Sequence, residues 1–577
     1  MAKSLKKSGQ KLLRKFSQLT MEAGAKSSER IRRNFVDRLM NARNVRLLIL
    51  EWCLLVSALI MLALTQAFWF GDSYAADTYT TGGTYTEATV GEVNSMNPLF
   101  ATTNSEKVLS RLMFATLTAV DRSGHIKAEL AETVRSSADG KEWTIKLREG
   151  LKWSDGEPIT NEDVLFTAGL LKNPLANTIY DTNLTNVKVT ENENGEIVFT
   201  LASPYADFMS ALNFPIVPKH ILGETEPQNL IEHSFSNAPV TSGAFTFNAM
   251  QTNSNSEKVF YLSANSEYFA GKPLVSTFAV HTYADKNEVM NAVNAGTVTA
   301  TAELSGADIA KVSNAQFNQR SAGLNTGAFI FFNTSRQTVS SKEMRRAIRQ
   351  GIDLEKARAE AKDTEALDFP LLSSQIDLGS YPTLPERDFE TAKAKIAELS
   401  GGEKKHLDIA TVETDFLPEV TQALASDLEA LGFEVNVSVY NENQEFINNV
   451  IVQRSYDILV YEVELGAEPD LLPYYHSSQV ASAGLNLSNY KNSLADDLLL
   501  GAQNTVNDEL RAKKYRTFLE YWVSDVPAIG LYRANLTYFY NRNVRTFSND
   551  VRLVTAIDRF GDVADWAVSK TTKNKTP

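Results

Sequence analysis

The segment HLDIATV, residues 406–412, opens a run of alternating strand and helix patterns that decides the fold class. An apolar stripe at helical spacing follows it, made of Leu417, Val420, Leu424, Leu428 and Leu431. Gly432 stands where a left-handed helix cap is expected, and the alternation in 433–439 predicts a second strand. A further helix around 446–451 and a strand at 456–463 complete the pattern. Short connections between these elements predict a right-handed parallel α/β unit.

This unit indicates where a ligand would bind. Open α/β sheets bind ligands beyond the carboxyl ends of their strands, so the residues just after Val463 are candidates. The first half of the chain is richer in strand patterns, such as WTIKL at 143–147 and EIVFTL at 196–201. The change of pattern predicts at least two lobes.

The segment LKWSDGEPITNEDV, residues 151–164, could belong to a hydrolase or to a turn followed by a helix. Its four carboxylates are those of Asp155, Glu157, Glu162 and Asp163. Asp155-Gly156 is a turn pair, Thr160 with Asp163 is a capping-box variant, and acidic residues favour a helix N-terminus. The structural interpretation is therefore preferred, unless folding brings a catalytic partner from a distant part of the chain.

Common catalytic and cofactor motifs are missing from the sequence. It contains neither G-x-S-x-G nor a phosphate-binding G-x-x-x-x-G-K-[ST] loop, and its six histidines never stand at metal-ligand spacing. The single cysteine, Cys53, excludes a disulfide within the chain. No basic stripe suits nucleic acid. We therefore predict a protein that is not an enzyme, with no catalytic residue, metal, cofactor or nucleic-acid partner.

The charge distribution separates a basic tail from an acidic body. Residues 1–46 hold 13 Lys/Arg and three acidic residues, a net charge of +10, which leaves −23 of the total of −13 for residues 47–577. Between them, residues 47–70 are apolar and about 36 Å long as a helix, enough to cross a bilayer. The basic flank predicts a single-pass cell-membrane protein with a cytoplasmic N-terminus and an extracytoplasmic body. Cleavage after Ala75 as a signal peptide is the alternative.

Seven segments, in order along the chain, carry a family resemblance: GGTYTEATVGEVNSMNPLF (82–100), ELAETVRSSADGKEWTIKLREGLKWSDGEPITNEDVLFT (129–167), FPIVPKHIL (214–222), NSEYFAGKPLV (265–275), FFNTSRQTVSSKEMRRAIRQGID (331–353), EPDLLPYYHSSQ (468–479) and VPAIGLY (526–532). Together they resemble the extracellular solute-binding proteins of peptide/nickel-type ABC importers, solute-binding protein family 5. The resemblance covers nearly all of the chain after the apolar segment. It implies capture of a solute for a separate permease with its own ATPase chains.

The fold that this resemblance implies is an α/β, periplasmic-binding-protein-like type II clamshell of two α/β lobes plus an inserted domain, preceded by one transmembrane helix. The expected divisions are a cytoplasmic tail (1–46), an anchor (47–70), a flexible linker (71–85), lobe I (86–115, 217–325 and 525–566), an inserted domain (116–216), lobe II (326–524) and a disordered tail (567–577).

The resemblance also nominates ligand-binding residues. Those from the loop after the Asn-Pro turn are Thr102, Thr103 and Asn104. Phe331 and Asn333 are expected near the hinge. The loop after the strand at 456–463 contributes Tyr461, Glu462 and Glu464, and the remaining nominations are Asn486, Tyr490 and Tyr532. Many relatives have Gly-Trp and then an aspartate that holds a peptide amino group, where this chain has Tyr461-Glu462-Val463-Glu464-Leu465, so Glu464 is shifted by one position.

Three functions remain open at this point. The preferred one is a membrane-tethered receptor for short peptides, with nickel complexes, oligosaccharides or other solutes as alternative ligands. A membrane-anchored sensor or interaction protein on the same fold is the second, because the cytoplasmic tail is long. An extracellular hydrolase is the third.

Overall fold

The structure is a computed structural model. It describes residues 52–63, 65, 81–180, 184, 186–253, 257–362, 364–441, 444–480 and 484–569. The predicted tail 1–46 and most of the predicted anchor 47–70 lie outside these residues. Residues 52–63 are helical with exposed side chains, and no helix of the described chain is long and apolar enough to cross a membrane.

The strands of the described chain are β1 Thr84–Val90, β2 Thr118–Val120, β3 Ile126–Ala128, β4 Ala131–Ser136, β5 Glu142–Leu147, β6 Lys188–Glu191, β7 Ile197–Thr200, β8 Phe245–Thr252, β9 Lys258–Ala264, β10 Thr277–Tyr283, β11 Ala300–Thr301, β12 Phe317–Phe332, β13 Glu365–Ala366, β14 His406–Val412, β15 Glu434–Tyr440, β16 Ile458–Glu464, β17 Ala528–Asn541, β18 Val544–Arg545 and β19 Ala567–Val568. The α-helices of residues 79–577 are Asn104–Met113, Asn161–Leu171, Lys219–Leu222, Lys286–Ala295, Lys342–Gly351, Leu354–Glu360, Phe389–Leu399, Leu417–Leu431, Gln444–Phe446, Leu472–Tyr475, Ser493–Gln503 and Asp508–Asp525.

One large mixed sheet runs through residues 79–577, which form a compact unit. Its strand order is β15-β14-β16-β12-β17-β11-β1-β10-β9-β8, with β13 paired to β17. β1 is parallel to both β10 and β11, whereas β12 and β17 form a long antiparallel pair in its middle. A separate antiparallel sheet has the order β4-β5-β7-β6 and contains both strands predicted in the first half. The α/β class is confirmed.

The predicted α/β unit forms at one end of the large sheet. β14 is parallel to β15 and to β16, and the helix Leu417–Leu431 connects the first two strands. The apolar stripe of that helix is buried, and Gly432 ends it with a φ of 110°. This unit follows from periodicity alone because its buried and exposed positions alternate at strand and helix spacing.

Two large apolar cores lie on the described chain. The first is built from residues between Tyr85 and Ala322 and again between Leu536 and Trp566, and it includes the four-stranded sheet. The second is built from residues between Ala328 and Tyr532. The chain passes from the first core to the second along β12 and returns along β17. The predicted domain boundaries remain predictions.

Ordered structure extends into both predicted flexible ends of the body. β1 begins at Thr84, inside the predicted linker 71–85, and Tyr85 is fully buried. β19 pairs with β18, so Ala567 and Val568 belong to the folded body rather than to the predicted disordered tail. Residues 84–85 and 567–568 are ordered because they pair with other strands of the body, and their own composition does not predict that pairing.

The segment 151–164 is a turn and a helix start. Asp155 accepts a hydrogen bond from the Glu157 backbone, and its other oxygen lies 2.9 Å from Nε2 of His220. Glu162 forms an exposed salt bridge of 2.9 Å with Lys219. Folding does bring a histidine to this segment, and the contact between Asp155 and His220 connects the turn to the helix Lys219–Leu222. Asp155 and Glu162 therefore each have a structural contact, as expected for a turn and a helix start.

A candidate ligand-binding cleft

Two adjoining cavities have volumes of about 420 and 370 Å³. The larger lies among residues of the first core and is reached by Glu464 of β16, and the smaller lies between residues of both cores, such as Leu536 and Tyr532. The two cavities share four lining residues, Asn104, Ala302, Glu303 and Ala556, and we call the pair the central cleft. The strand ends β11 and β14 reach this cleft through the residues that follow them, Ala302–Ser305 and Glu413–Phe416. A cleft between two packed bodies, at the ends of sheet strands, is a common place for small ligands.

The helix Asn104–Met113 carries one wall of the cleft. Thr103 caps it, and its hydroxyl receives the Glu106 backbone N–H, while the Glu106 carboxylate receives the backbone N–H groups of Thr102 and Thr103. Burial alone would raise the pKa of Glu106, but these hydrogen bonds and one from Asn94 outweigh it and lower the pKa. These hydrogen bonds hold the first turn of the helix, which presents Asn104 to both cavities.

The 370 Å³ cavity is strongly charged. Its carboxylates are Glu303, Glu413, Asp415 and Glu462, and its lysines are Lys286 and Lys362. Lys286 Nζ lies 3.4 Å from Asp415 Oδ1, which joins a helix of the first half of the chain to the loop after β14. The four carboxylates outnumber the two lysines, so the cavity has a net negative charge that favours a cationic ligand group.

Tyr532 and Glu462 form a fixed pair on one wall of that cavity. The Tyr532 hydroxyl donates to Oε1 of Glu462 over 3.0 Å, and these two residues stand on β17 and β16, the strands on either side of β12. Burial and the adjacent carboxylate raise the pKa of Tyr532, which keeps the phenol protonated as a donor.

The structure brings four of the eleven nominated residues to the central cleft. Asn104 lines both cavities, Glu462 and Tyr532 line the 370 Å³ cavity, and Glu464 lines the 420 Å³ cavity. Their contact with a ligand stays a prediction.

Four other nominated residues hold local structure beside the cleft. Thr102 and Thr103 form the helix start described above and do not line it. Phe331 is completely buried and packs against Phe329 in the second core. Tyr461 packs against the Phe446 ring at 5.8 Å and also lies outside the cleft lining.

The last three nominated residues are elsewhere. Asn333 and Tyr490 line a polar surface cavity of about 1060 Å³ on the second core, with no residue in common with the cleft. Asn486 is fully buried and holds Tyr490 through two backbone contacts of 2.9 and 3.1 Å. The resemblance nominated these residues together with those of the cleft. Asn333 instead meets the Asp457 carbonyl just before β16 begins, whereas Glu462 and Glu464 stand at the end of that strand.

Several lining residues were not found from the sequence. Glu413–Phe416 directly follow β14, so the rule that selected the residues after Val463 applies equally after Val412. Glu303 follows a strand of only two residues, β11, which gives no periodic signal. Only the pairing of β11 with β1 and β17 places it at the cleft.

A cleft lined from two cores and by residues at the ends of β11, β14 and β16 is typical of proteins that bind a solute between two bodies. The family model for bacterial extracellular solute-binding proteins, family 5 middle region, matches residues 125–482. The chain belongs to this family.

Individual relatives agree with this membership. The chain is 24% identical over 479 residues to the oligopeptide-binding protein AppA of Bacillus subtilis, an alignment that covers 79% of this chain and 87% of the relative. The structure of that AppA in complex with a nonapeptide matches with a TM-score of 0.68 and 22% identity, covering 85% of this chain and all of that one. The ABC transporter substrate-binding protein CtaP of Listeria monocytogenes matches with a TM-score of 0.75 and 22% identity over 85% of this chain and 100% of that one. The structure of NikZ of Campylobacter jejuni in complex with Ni(L-His) matches with a TM-score of 0.69 and 21% identity, covering 84% of this chain and 99% of that one. These structures share the fold.

Proposed function

We propose that this chain is a membrane-tethered extracytoplasmic receptor that binds short peptides in the central cleft and delivers them to an ABC importer. The observation that carries this proposal is the cleft itself, which carries charged side chains from segments of both cores in a chain of the solute-binding family. AppA, the oligopeptide-binding relative, supports peptides as the ligand class. The ligand stabilises the closed cleft only by the contacts that it gains there.

Ligand capture can be tested on the full-length chain purified in detergent. Native mass spectrometry should show peptide-sized adducts that denaturation removes, and a defined peptide mixture should raise the melting temperature. The proposal would be contradicted by a chain that is purified without adducts and whose melting temperature no peptide changes.

A variant that fills the cleft gives the matching control. Ala302 lines both cavities, so Ala302→Phe should abolish the peptide-dependent rise in melting temperature. Ala430 is exposed on the helix Leu417–Leu431, and Ala430→Phe should leave that rise unchanged. Equal responses of the two variants would place the peptide outside the central cleft.

The membrane tether is part of the proposal and rests on the sequence of residues 47–70. The full-length chain should stay in the membrane fraction after an alkaline carbonate wash, and external protease should digest its body in intact cells without an outer membrane. A soluble mature chain that begins at residue 76 would replace the tether by a cleaved signal peptide.

A further inference from the structure

Glu303 occupies the junction of the two cavities and is held there by its own surroundings. Its backbone N–H donates to the Thr301 hydroxyl over 3.1 Å, and that hydroxyl donates to the Ala88 carbonyl over 2.9 Å. The side chain receives the Asn104 amide over 3.1 Å and a hydrogen bond from the Val90 backbone. A carboxylate fixed by neutral donors keeps its position without needing a counter-charge from the protein.

No lysine, arginine or histidine of the described chain forms a salt bridge with Glu303. The two cations that act on it most are each paired with another carboxylate: Lys286 with Asp415 at 3.4 Å, and the buried Arg559 with Glu87 at 2.7 Å. Burial raises the pKa of Glu303, because its negative charge is partly removed from water. A partly desolvated carboxylate without an ionic partner interacts strongly with an incoming cation.

The opposite wall adds to this effect. Glu413 and Asp415 follow β14, and Glu462 stands on β16, all in the 370 Å³ cavity that Glu303 shares. Glu464, the residue that the sequence nominated for an amino group, lines the other cavity and is exposed. The 420 Å³ cavity, which Glu303 also lines, balances its carboxylates with Lys107, Arg111 and Arg559. The excess of negative charge therefore lies in the 370 Å³ cavity, which Glu303 lines and Glu464 does not.

We infer that Glu303 binds a positively charged group of the ligand, an alkylammonium of the kind found at a peptide N-terminus or on a lysine side chain. This inference rests on the proposed function and assigns a specificity residue to it. The ammonium enters the 370 Å³ cavity and donates to the Glu303 carboxylate, while the Asn104 amide holds that carboxylate in place. Glu303 thereby selects for ligands that carry a cation at this point.

The test measures the affinity of the full-length chain in detergent for three synthetic peptides of one sequence: with a free N-terminus, N-acetylated, and N-acetylated with one residue replaced by lysine. Wild type should lose about tenfold or more in affinity on acetylation, the scale of one charge-assisted hydrogen bond. In Glu303→Gln the free and acetylated peptides should bind equally weakly, as expected when two changes remove the same interaction. If the lysine peptide regains the lost affinity in wild type but not in Glu303→Gln, a lysine side-chain ammonium can also bind at Glu303.

Two controls separate this inference from the others. Glu386→Gln, at an exposed glutamate outside the cleft lining, should keep the wild-type ratio between the affinities for free and acetylated peptide. Loss of that ratio in Glu464→Gln, with the ratio kept in Glu303→Gln, would overturn the role of Glu303. Equal binding of all three peptides by wild type would overturn the inference and leave the receptor function standing. Absence of binding of every peptide would overturn the proposed function and the inference together. Glu303→Gln without ligand should melt no lower than wild type, because it removes a charge that has no ionic partner.

Discussion

Asp163 shows how a single carboxylate can serve structure in a segment that resembles an acidic active site. Oδ2 receives the Thr160 backbone N–H over 2.9 Å, and Oδ1 receives the Lys219 backbone N–H over 2.8 Å. The Trp153 indole N–H also points at Oδ2, over 3.4 Å. The residue therefore caps a helix and joins it to a second segment 56 positions away.

Asp163→Ala should lower the free energy of unfolding by about 1–3 kcal/mol, because it removes a cap and leaves buried donors without an acceptor. Urea unfolding followed by tryptophan fluorescence measures this change. Glu157→Ala, an exposed change six residues earlier, should stay within about 0.5 kcal/mol of wild type. Similar losses in both variants would contradict the capping role.

Glu87 forms the most deeply buried ion pair of the first core. Arg559 approaches Oε1 with Nε at 3.1 Å and Nη2 at 2.7 Å, and the Tyr538 hydroxyl donates to Oε2 over 2.8 Å. Tyr85 lies 2.6 Å from that hydroxyl, so four residues from opposite ends of the body form one network. Burial raises the pKa of Tyr538, which keeps it a donor.

Glu87→Gln should destabilise the chain by about 3–5 kcal/mol, because the guanidinium of Arg559 would lose its buried counter-charge. The urea midpoint reports this loss. Glu386→Gln changes an exposed glutamate by the same substitution and should leave the midpoint unchanged. A wild-type midpoint for Glu87→Gln would mean that the pair contributes no net stability.

At the scale of elements, β12 and β17 set the arrangement of the two cores. They pair from Phe317 to Phe331, with register shifts between Gly323 and Gly327 and between Ala328 and Phe329. β13 also pairs with β17. A Cβ atom added at Gly530 of β17 would overlap the Leu367 carbonyl oxygen. Close backbone approach explains why glycine stands in the middle of a long strand.

Gly530→Ala should therefore destabilise the chain, by about 1–3 kcal/mol for an overpacked site, and should lower the melting temperature. Gly169 gives the opposite case on the helix Asn161–Leu171, where the residue is exposed and nothing lies within 4 Å of the position that an alanine methyl group would take. Gly169→Ala should raise stability by about 0.5–1 kcal/mol through helix propensity. The same sign of change in both variants would contradict this account.

At the scale of the whole molecule, the region of the four-stranded sheet touches the second core through a buried acidic junction. Asp207 pairs with Arg511, and Tyr205 donates to Asp470 over 3.3 Å. Burial raises the pKa of Asp207 to about 7; the nearby Glu468 and Asp470 carboxylates add to that increase and Arg511 opposes it. Burial also raises the pKa of Glu468 and of Asp470. The junction thus contains three carboxyl groups that folding makes harder to ionise.

This junction predicts a dependence of stability on pH. The pKa of Asp207 is about 7 in the folded chain and about 3.9 when unfolded. The folded state therefore binds more protons between about pH 4 and 7, and the free energy of unfolding falls as the pH rises through that window. Asp207→Asn cannot ionise, so its melting temperature should rise relative to wild type from pH 5 to pH 7 and then stay level. For Asp497→Asn, at an exposed aspartate, the difference in melting temperature from wild type should not change with pH. If the difference for Asp207→Asn is also independent of pH, the prediction is contradicted.

The sequence by itself determined the local architecture and the family. The α/β unit at 406–463, the cap at Gly432 and the helix start at Thr160 could all be predicted, because periodicity and capping depend on residues within a few positions of each other. The ordered family segments predicted the class of protein for the same reason, since each is a contiguous stretch.

Only the tertiary structure decided which side chains share the binding cleft. Asn104, Glu303, Glu413, Glu462 and Tyr532 come from five distant segments. They meet because the sheet order places β11, β14, β16 and β17 in one sheet, and register between strands is fixed by pairing over hundreds of residues. The same long-range packing carried Asn333, Asn486 and Tyr490 away from the cleft. Local patterns encode burial, whereas a binding site is a set of distances between remote residues, and those distances exist only in the folded chain.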